Sequence, residues 1–329
     1  MSFGLATAQA ERIVAGRQVR GPTRVRIKRQ GGGRWRDIDM PSDPDEIAKL
    51  PFDKWKSLYR EKDGRPRLRR SVVAFIDLLG YRSAVVRAHA EGRQHEFLLK
   101  LRTALNESLS RLRDIVPGHR APWRVKAFTD NIVLCFPMIS GEDEAGTLPI
   151  AIDRLGSFQL YMTIDGFFIR GGVAVADVYF DEEIVFGPGL LEAYATESQR
   201  ARDPRIVLAD SCLQYIAESP SGSLLKDADG QLFVNYLDKI SWYDVYDEQE
   251  GRTPAPGVDF LTQHKRLVEA KLHEYAAEPA VWSKYHWVAR YHNFFCKDCG
   301  PTLPLRYRVV DQDAAFEPQR IRKREGSKK

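Results

Sequence analysis

A run of five apolar residues, Val72-Val73-Ala74-Phe75-Ile76, stops abruptly at a single carboxylate, Asp77. Its length suits a strand rather than a helix, and without polar alternation both of its faces need cover, so it predicts the buried central strand of a sheet. A second run, Ile132–Phe136, follows the turn residues Thr129-Asp130-Asn131, and the alternating stretch Arg124–Phe128 precedes them. Together these predict a β-hairpin with Asp130 at its tip. If the hairpin lies beside the first strand, a spacing of ~4.8 Å lets Asp77 and Asp130 converge on one cation site.

The segments around these strands fill in the class. Apolar residues at three- and four-residue steps predict a helix over Glu96–Ile115, and further helices are expected near Leu148–Tyr161, Pro188–Arg200 and Ser211–Glu218. Strands are expected at Phe167–Tyr179 and Arg205–Leu208, then a hairpin at Gln231–Ile240 and helices at Val258–Ala277 and Trp282–Phe295. The order predicts an α+β sandwich of the ferredoxin-like or palm kind, with helices on one face of a mainly antiparallel sheet. Before it, Thr23–Lys28 and Arg34–Met40 flank Gly31-Gly32-Gly33 as a possible small hairpin, with a helix expected at Asp45–Glu61.

Charge is divided along the chain. Residues 1–70 carry 18 Lys+Arg against 9 Asp+Glu and 315–329 carry 6 against 2, so within a net charge of +5 the middle is acidic. The basic ends lack the aromatic interleaving of a nucleic-acid surface, and binding through them is not expected. An acidic middle suits divalent metal and polyphosphate chemistry, which needs carboxylates. No apolar run approaches membrane length, the N-terminus lacks the apolar core of a signal peptide, and three of the four cysteines (Cys135, Cys212, Cys296) lie in apolar stretches. The expectation is a cytoplasmic protein without disulfides. Cys296-Lys297-Asp298-Cys299 with His286 and His292 could make a zinc site, but a lone CxxC in an aromatic helix pattern reads more readily as packing. No nucleophile-elbow motif supports serine hydrolase chemistry.

Over Val72–Asp210 the chain resembles the class III nucleotidyl cyclase catalytic domain. Its Asp-Ile-x-Gly-Phe strand end corresponds to Asp77-Leu78-Leu79-Gly80-Tyr81, and its Lys-Thr-Ile-Gly-Asp hairpin to Lys126-Ala127-Phe128-Thr129-Asp130. The Arg-x-Gly-Ile strand corresponds to Arg170-Gly171-Gly172-Val173, and the Gly-Pro helix start to Gly187-Pro188. The whole chain is similar to the bacterial Pycsar pyrimidine cyclases, through Glu192–Glu197, Pro204-Arg205-Ile206, Lys284-Tyr285-His286-Trp287 and Tyr291-His292-Asn293.

The resemblance implies a basic extension over 1–70, a catalytic domain over 71–210, a hairpin and helical extension packed on it over 211–315, and a basic tail over 316–329. It also implies two Mn²⁺ or Mg²⁺ ions held by Asp77, Asp130 and the Leu78 carbonyl, a triphosphate approached by the amides of Leu78, Leu79 and Gly80, and a base read by Lys126 across a homodimer interface. The purine-reading acid of adenylyl cyclases is replaced by Ile184, and the Asn and transition-state Arg positions by Glu192 and Thr196. Arg200, with Arg202 and Arg205 after it, becomes the candidate for the missing cation. A uridylate cyclase converting UTP to cyclic UMP for a separate antiphage effector is therefore expected. The arginines at 65, 67, 69, 70, 82 and 124 are donors that suit uracil. A cytidylate cyclase acting on CTP, a rewired purine cyclase and a non-catalytic nucleotide or nucleic-acid sensor are the alternatives.

Overall fold

The computed structural model describes residues 23–27, 36–40, 58–112, 123–138, 146–218, 222–240, 256–298, 303, 305–309 and 318–320. The chain divides into two units, Met1–Ser57 and Leu58–Lys329. In the first, β1 (Thr23–Ile27) pairs antiparallel with β2 (Arg36–Met40), as the alternation predicts. The expected helix at Asp45–Glu61 falls almost wholly outside the described residues.

The second unit is a mixed α+β structure built on one sheet. Its strands are β3 (Arg69–Leu78), β4 (Arg124–Phe128), β5 (Asn131–Pro137), β6 (Ile169–Phe180), β7 (Val185–Phe186), β8 (Ile206–Leu208), β9 (Leu224–Lys226), β10 (Leu232–Val234) and β11 (Gln319–Arg320). The order is β11–β9–β10–β8–β6–β3–β5–β4, with β7 on the far end of β6. Only β6 and β8 run parallel. The apolar run is the central strand, flanked by β5 and β6, and residues 71–76 are all buried.

The helices are α1 (Tyr81–Ala90), α2 (Gln94–Arg111), α3 (Thr147–Ile164), α4 (Pro188–Arg200), α5 (Pro256–Glu274) and α6 (Pro279–Asp298). Residues 72, 74, 76 and 78 of β3 point to the face where Ala104 of α2 and the apolar side of α3 pack. The opposite face is not bare, as the expected one-sided arrangement would have it. There α4 lies against β6 and β3, because Gly172 has no side chain: a Cβ would stand 2.2 Å from the Ala193 carbonyl oxygen and 2.5 Å from the Glu197 nitrogen.

Three local expectations change. The segment Asp210–Glu218 is a 3₁₀ helix, drawn tight where Ser211 Oγ accepts the Val175 N–H at 3.0 Å. The C-terminal hairpin is β9–β10 around Gly230 (φ 83°), and residues 236–239 after it form a 3₁₀ turn. Helix α1 was not expected at all.

A second core joins α5 and α6 to β10. Through it runs a chain of hydrogen bonds whose direction is fixed by its end. The Tyr307 carbonyl can only accept, so His292 Nε2 donates to it (2.8 Å) and His292 Nδ1 is bare. His264 therefore donates from Nδ1 to His292 Nδ1 (3.0 Å), and Tyr236 donates its O–H to His264 Nε2 (2.7 Å). Both rings are fully buried, neutral and satisfied. Cys296 Sγ sits 3.6 Å from His292 Nε2, while His286 stacks on Trp282. Cys299 lies outside the described residues, and among those described no three His, Cys, Asp or Glu gather as metal ligands.

Candidate active site

Asp77 is the last polar residue of β3, opposite Asn131 on one side and Arg170 on the other. Directly opposed residues share a face, so Asp77, Asn131 and Arg170 project together on the α4 side of the sheet. One residue on, the Leu78 N–H donates to the Asp130 carbonyl at 2.9 Å, which ties the β4–β5 turn to the end of β3. In that turn Thr129 takes φ 55°, a left-handed conformation that a β-branched residue adopts only under constraint. Asn131 Nδ2 donates to Asp130 Oδ1 at 3.0 Å, and the Thr129 hydroxyl shares its one hydrogen between that oxygen (2.8 Å) and the Phe128 carbonyl (2.7 Å), which holds the carboxylate beside Asn131.

The turn that carries Asp130 is thus tied to the strand end that carries Asp77. Arg170 Nε donates to Asp77 Oδ2 at 2.9 Å and stands 2.9 Å from Glu197 Oε1, an atom that receives no hydrogen bond among the described residues. Burial pushes the Asp77 carboxyl up, Arg170 pulls it down, Asp130 adds to the rise and Lys284 of α6 opposes it. Glu197 is raised for the same first reason, against Arg170, with Asp77 raising it and Lys284 lowering it.

The remaining oxygens, Asp77 Oδ1 and Asp130 Oδ2, accept no hydrogen bond from the described residues. Two carboxylates with an open oxygen each, leaving other positions to phosphate and water, are the donor set that Mg²⁺ or Mn²⁺ takes. The residues fit such ions, with Asp77 and Asp130 as the holders.

The turn after β3 departs from expectation in one respect. The amides of Leu78 and Leu79 already donate, to the carbonyls of Asp130 and Phe168 at 2.9 Å each. Of the three, only Gly80 keeps an N–H without such a partner, and it caps α1 in the left-handed region at φ 72°. The first turn of α1 adds the unpaired N–H groups any helix start carries.

Arg200 is paired with an acid outside the Asp77 cluster. Its guanidinium grips Asp210 with two bonds (2.9 and 3.2 Å) at the surface. Arg205 is likewise taken: 1% exposed, it pairs with Asp227 and Asp229 and lies 5.5 Å from the Trp287 ring centroid. Lys126 lies on the Asp77 face of the sheet, opposite Val133, but its ammonium is directed to Phe180 (5.8 Å to the ring centroid) and acts on Asp181. That nitrogen is shielded from solvent and has no hydrogen-bond partner among the described residues.

Arg170, Glu197 and Lys284 are the site residues that sequence reasoning missed as a group. Only the motif strings that contain positions 170, 197 and 284 pointed there.

No protein family and no curated protein matches the chain. Among solved structures it is similar to the adenylyl cyclase CyaB from P. aeruginosa, at 15% identity over 51% of this chain and 94% of that one, with a TM-score of 0.37. It is also similar to a bacterial light-regulated adenylyl cyclase, at 11% identity over 61% of this chain and all of that one, with a TM-score of 0.33. At that degree of overlap the likeness assigns no activity to this chain.

Proposed function

We propose that the protein is a nucleotidyl cyclase that closes UTP to 3′,5′-cyclic UMP and pyrophosphate with two Mn²⁺ or Mg²⁺ ions. What supports this reading is Asp77 at the end of β3 with Asp130 in the turn that the Leu78 N–H ties to it, each with an oxygen that accepts no hydrogen bond from the described residues, next to the Gly80 amide at the start of α1. Bound ions would lower the pKa of the ribose 3′-hydroxyl and neutralise charge on the departing pyrophosphate. Asp77 and Asp130 would hold them. Arg170 fixes the second Asp77 oxygen, so the orientation of the carboxylate is set before any ligand arrives. The Gly80 amide and the positive end of α1 offer donors to phosphate oxygens.

The choice of base is supported by what surrounds Lys126. Asp181, the acid on its side, is already engaged: Oδ1 accepts the N–H groups of Glu183 and Ile184 and Oδ2 the Tyr179 hydroxyl, each within 2.8 Å. Most of its acceptor capacity for an exocyclic amino group is therefore taken. Arg124, two residues along the same face of β4 and half-buried, adds a second donor. Two donors suit the O4 acceptor of uracil better than the N4 amino group of cytosine.

The charges acting most on Asp77 are those of Arg170, Asp130 and Lys284, while Lys126 faces elsewhere. That separation supports a homodimer in which Lys126 of one protomer reads the base held over the metals of its partner. In the cell the product would serve as a messenger to a separate effector in antiphage defence.

The test is a single incubation of the purified protein with Mn²⁺ and each of the four NTPs, with products identified by mass. Cyclic UMP is expected. Cyclic CMP alone would move the assignment to CTP, product from ATP or GTP alone would refute pyrimidine selection, and no product from any NTP would refute cyclase activity.

A further inference from the structure

The cations of α4 and β6 are already engaged: Arg200 is bound to Asp210 and Arg170 to Asp77 and Glu197. Helix α6, outside the α+β sandwich, reaches the same place. Two aromatic anchors lay it across the ends of β6 and β8. Tyr285, 5% exposed, packs edge-on against Phe168 at 5.1 Å, and Phe168 supplies the carbonyl that accepts the Leu79 amide. Trp287 donates its indole N–H to Asp227 Oδ2 at 2.8 Å and covers Arg205, whose carbonyl accepts the N–H of Gly171, the neighbour of Arg170.

Lys284 lies between these anchors, adjacent to Tyr285 and one helical turn before Trp287, on the Trp287 side of the helix. Its charge acts on Asp77, Glu197 and Asp203, which belong to three different elements around the end of β3. Lys284 is half-buried, and no described residue makes a hydrogen bond or ion pair with it. A cation fixed at an acidic site, yet not closed onto any one acid, is free to take another anion.

We propose that Lys284 is the residue of the C-terminal extension that binds the phosphate chain of the nucleotide, so that α6 completes the active site. The inference rests on the cyclase reading above, which supplies the phosphate chain.

Binding of inorganic pyrophosphate in the presence of Mn²⁺ tests it by calorimetry, with no need for turnover. Lys284→Met keeps the length of the side chain and removes the charge, Lys284→Arg keeps the charge, and Lys297→Met, exposed on the same helix, is the control. Loss of one charged hydrogen bond weakens binding ~10- to 100-fold. That loss is expected for Lys284→Met, with near wild-type binding for the other two and unchanged melting temperatures confirming the fold. Should Lys284→Met melt early, the wild-type-like affinity of Lys284→Arg against a charge-reversed, folded Lys284→Glu decides the matter. Equal pyrophosphate affinity in Lys284→Met and wild type would overturn the proposal while leaving the cyclase reading intact. A wild-type protein that neither binds pyrophosphate nor converts any NTP would remove both.

Discussion

Arg170 holds Asp77 on one side and Glu197 on the other, so a single guanidinium organises one half-buried and one buried carboxylate that would otherwise repel. Removing the Asp77 charge leaves Arg170 with Glu197 alone, and an amide, which still offers an oxygen to Arg170 Nε, should be tolerated better than truncation. Asp77→Asn keeps a group for Arg170 and should leave the fold intact while lowering cyclisation by ~10³-fold or more, through loss of a metal ligand. Lys126→Met should be inactive for a different reason, loss of base recognition. If the sites are composite, mixing these two variants restores activity, because a mixed dimer carries both lesions in one site and none in the other. With random exchange about a quarter of the wild-type rate should return. No recovery on mixing would mean that each chain reads its own base. Asp77 and Asp130 were legible because each closes a local pattern, an apolar run or a turn. Glu197 and Lys284 were not, because nothing in the helices that carry them marks which neighbours the fold will bring alongside.

At the level of elements, glycine decides how near α4 comes to the sheet. Gly172 permits contact of helix backbone with strand, and any side chain there has backbone rather than a flexible tip to displace. Gly172→Ala should cost several kcal/mol, beyond the ~1–3 kcal/mol of ordinary overpacking, and should loosen Glu197 from Arg170. Gly80→Ala is a contrasting case: no atom lies within 4 Å of the added carbon, and only the left-handed φ of 72° resists, at ~1–2 kcal/mol. Denaturant midpoints of the two variants check the order; equal losses would show that α4 can shift freely. The pair Gly171-Gly172 stood out in the sequence inside a long strand, a recognised sign of close backbone approach. Helix α1 did not, because its N-cap is a glycine without a side-chain bond and exposed Val85 and Val86 interrupt an apolar stripe. The β9–β10 hairpin was misplaced because three-residue arms are too short to show alternation.

Across the whole second unit, the C-terminal helices are joined to the sheet by the directed chain from Tyr236 through His264 and His292 to Tyr307, and that chain works only with both rings neutral. Burial lowers both histidines, His264 well below its ordinary value and His292 to about 4, with each ring's surroundings adding no compensating anion. In the unfolded chain each would bind a proton near pH 6.5, so the unfolded state carries more protons between that value and about 4. Stability from the pair is therefore complete above pH 6.5 and lost as the pH falls, at up to roughly 1.4 kcal/mol per pH unit for each ring. The carboxyls of half-buried Asp77 and Asp203 and of buried Glu197 are raised, chiefly by desolvation, and work in the opposite sense, favouring the folded state as they protonate. A variant isolates the histidine contribution: His264→Asn leaves one titrating ring, and its free energy of unfolding between pH 6.5 and 5 should fall less steeply than that of the wild type, by the contribution of one ring. Because α6 also carries Lys284, acid release of this chain should weaken pyrophosphate binding in the same range before the sheet itself unfolds. Parallel slopes for the two proteins would mean that the rings are reached by water and do not hold the helices in place.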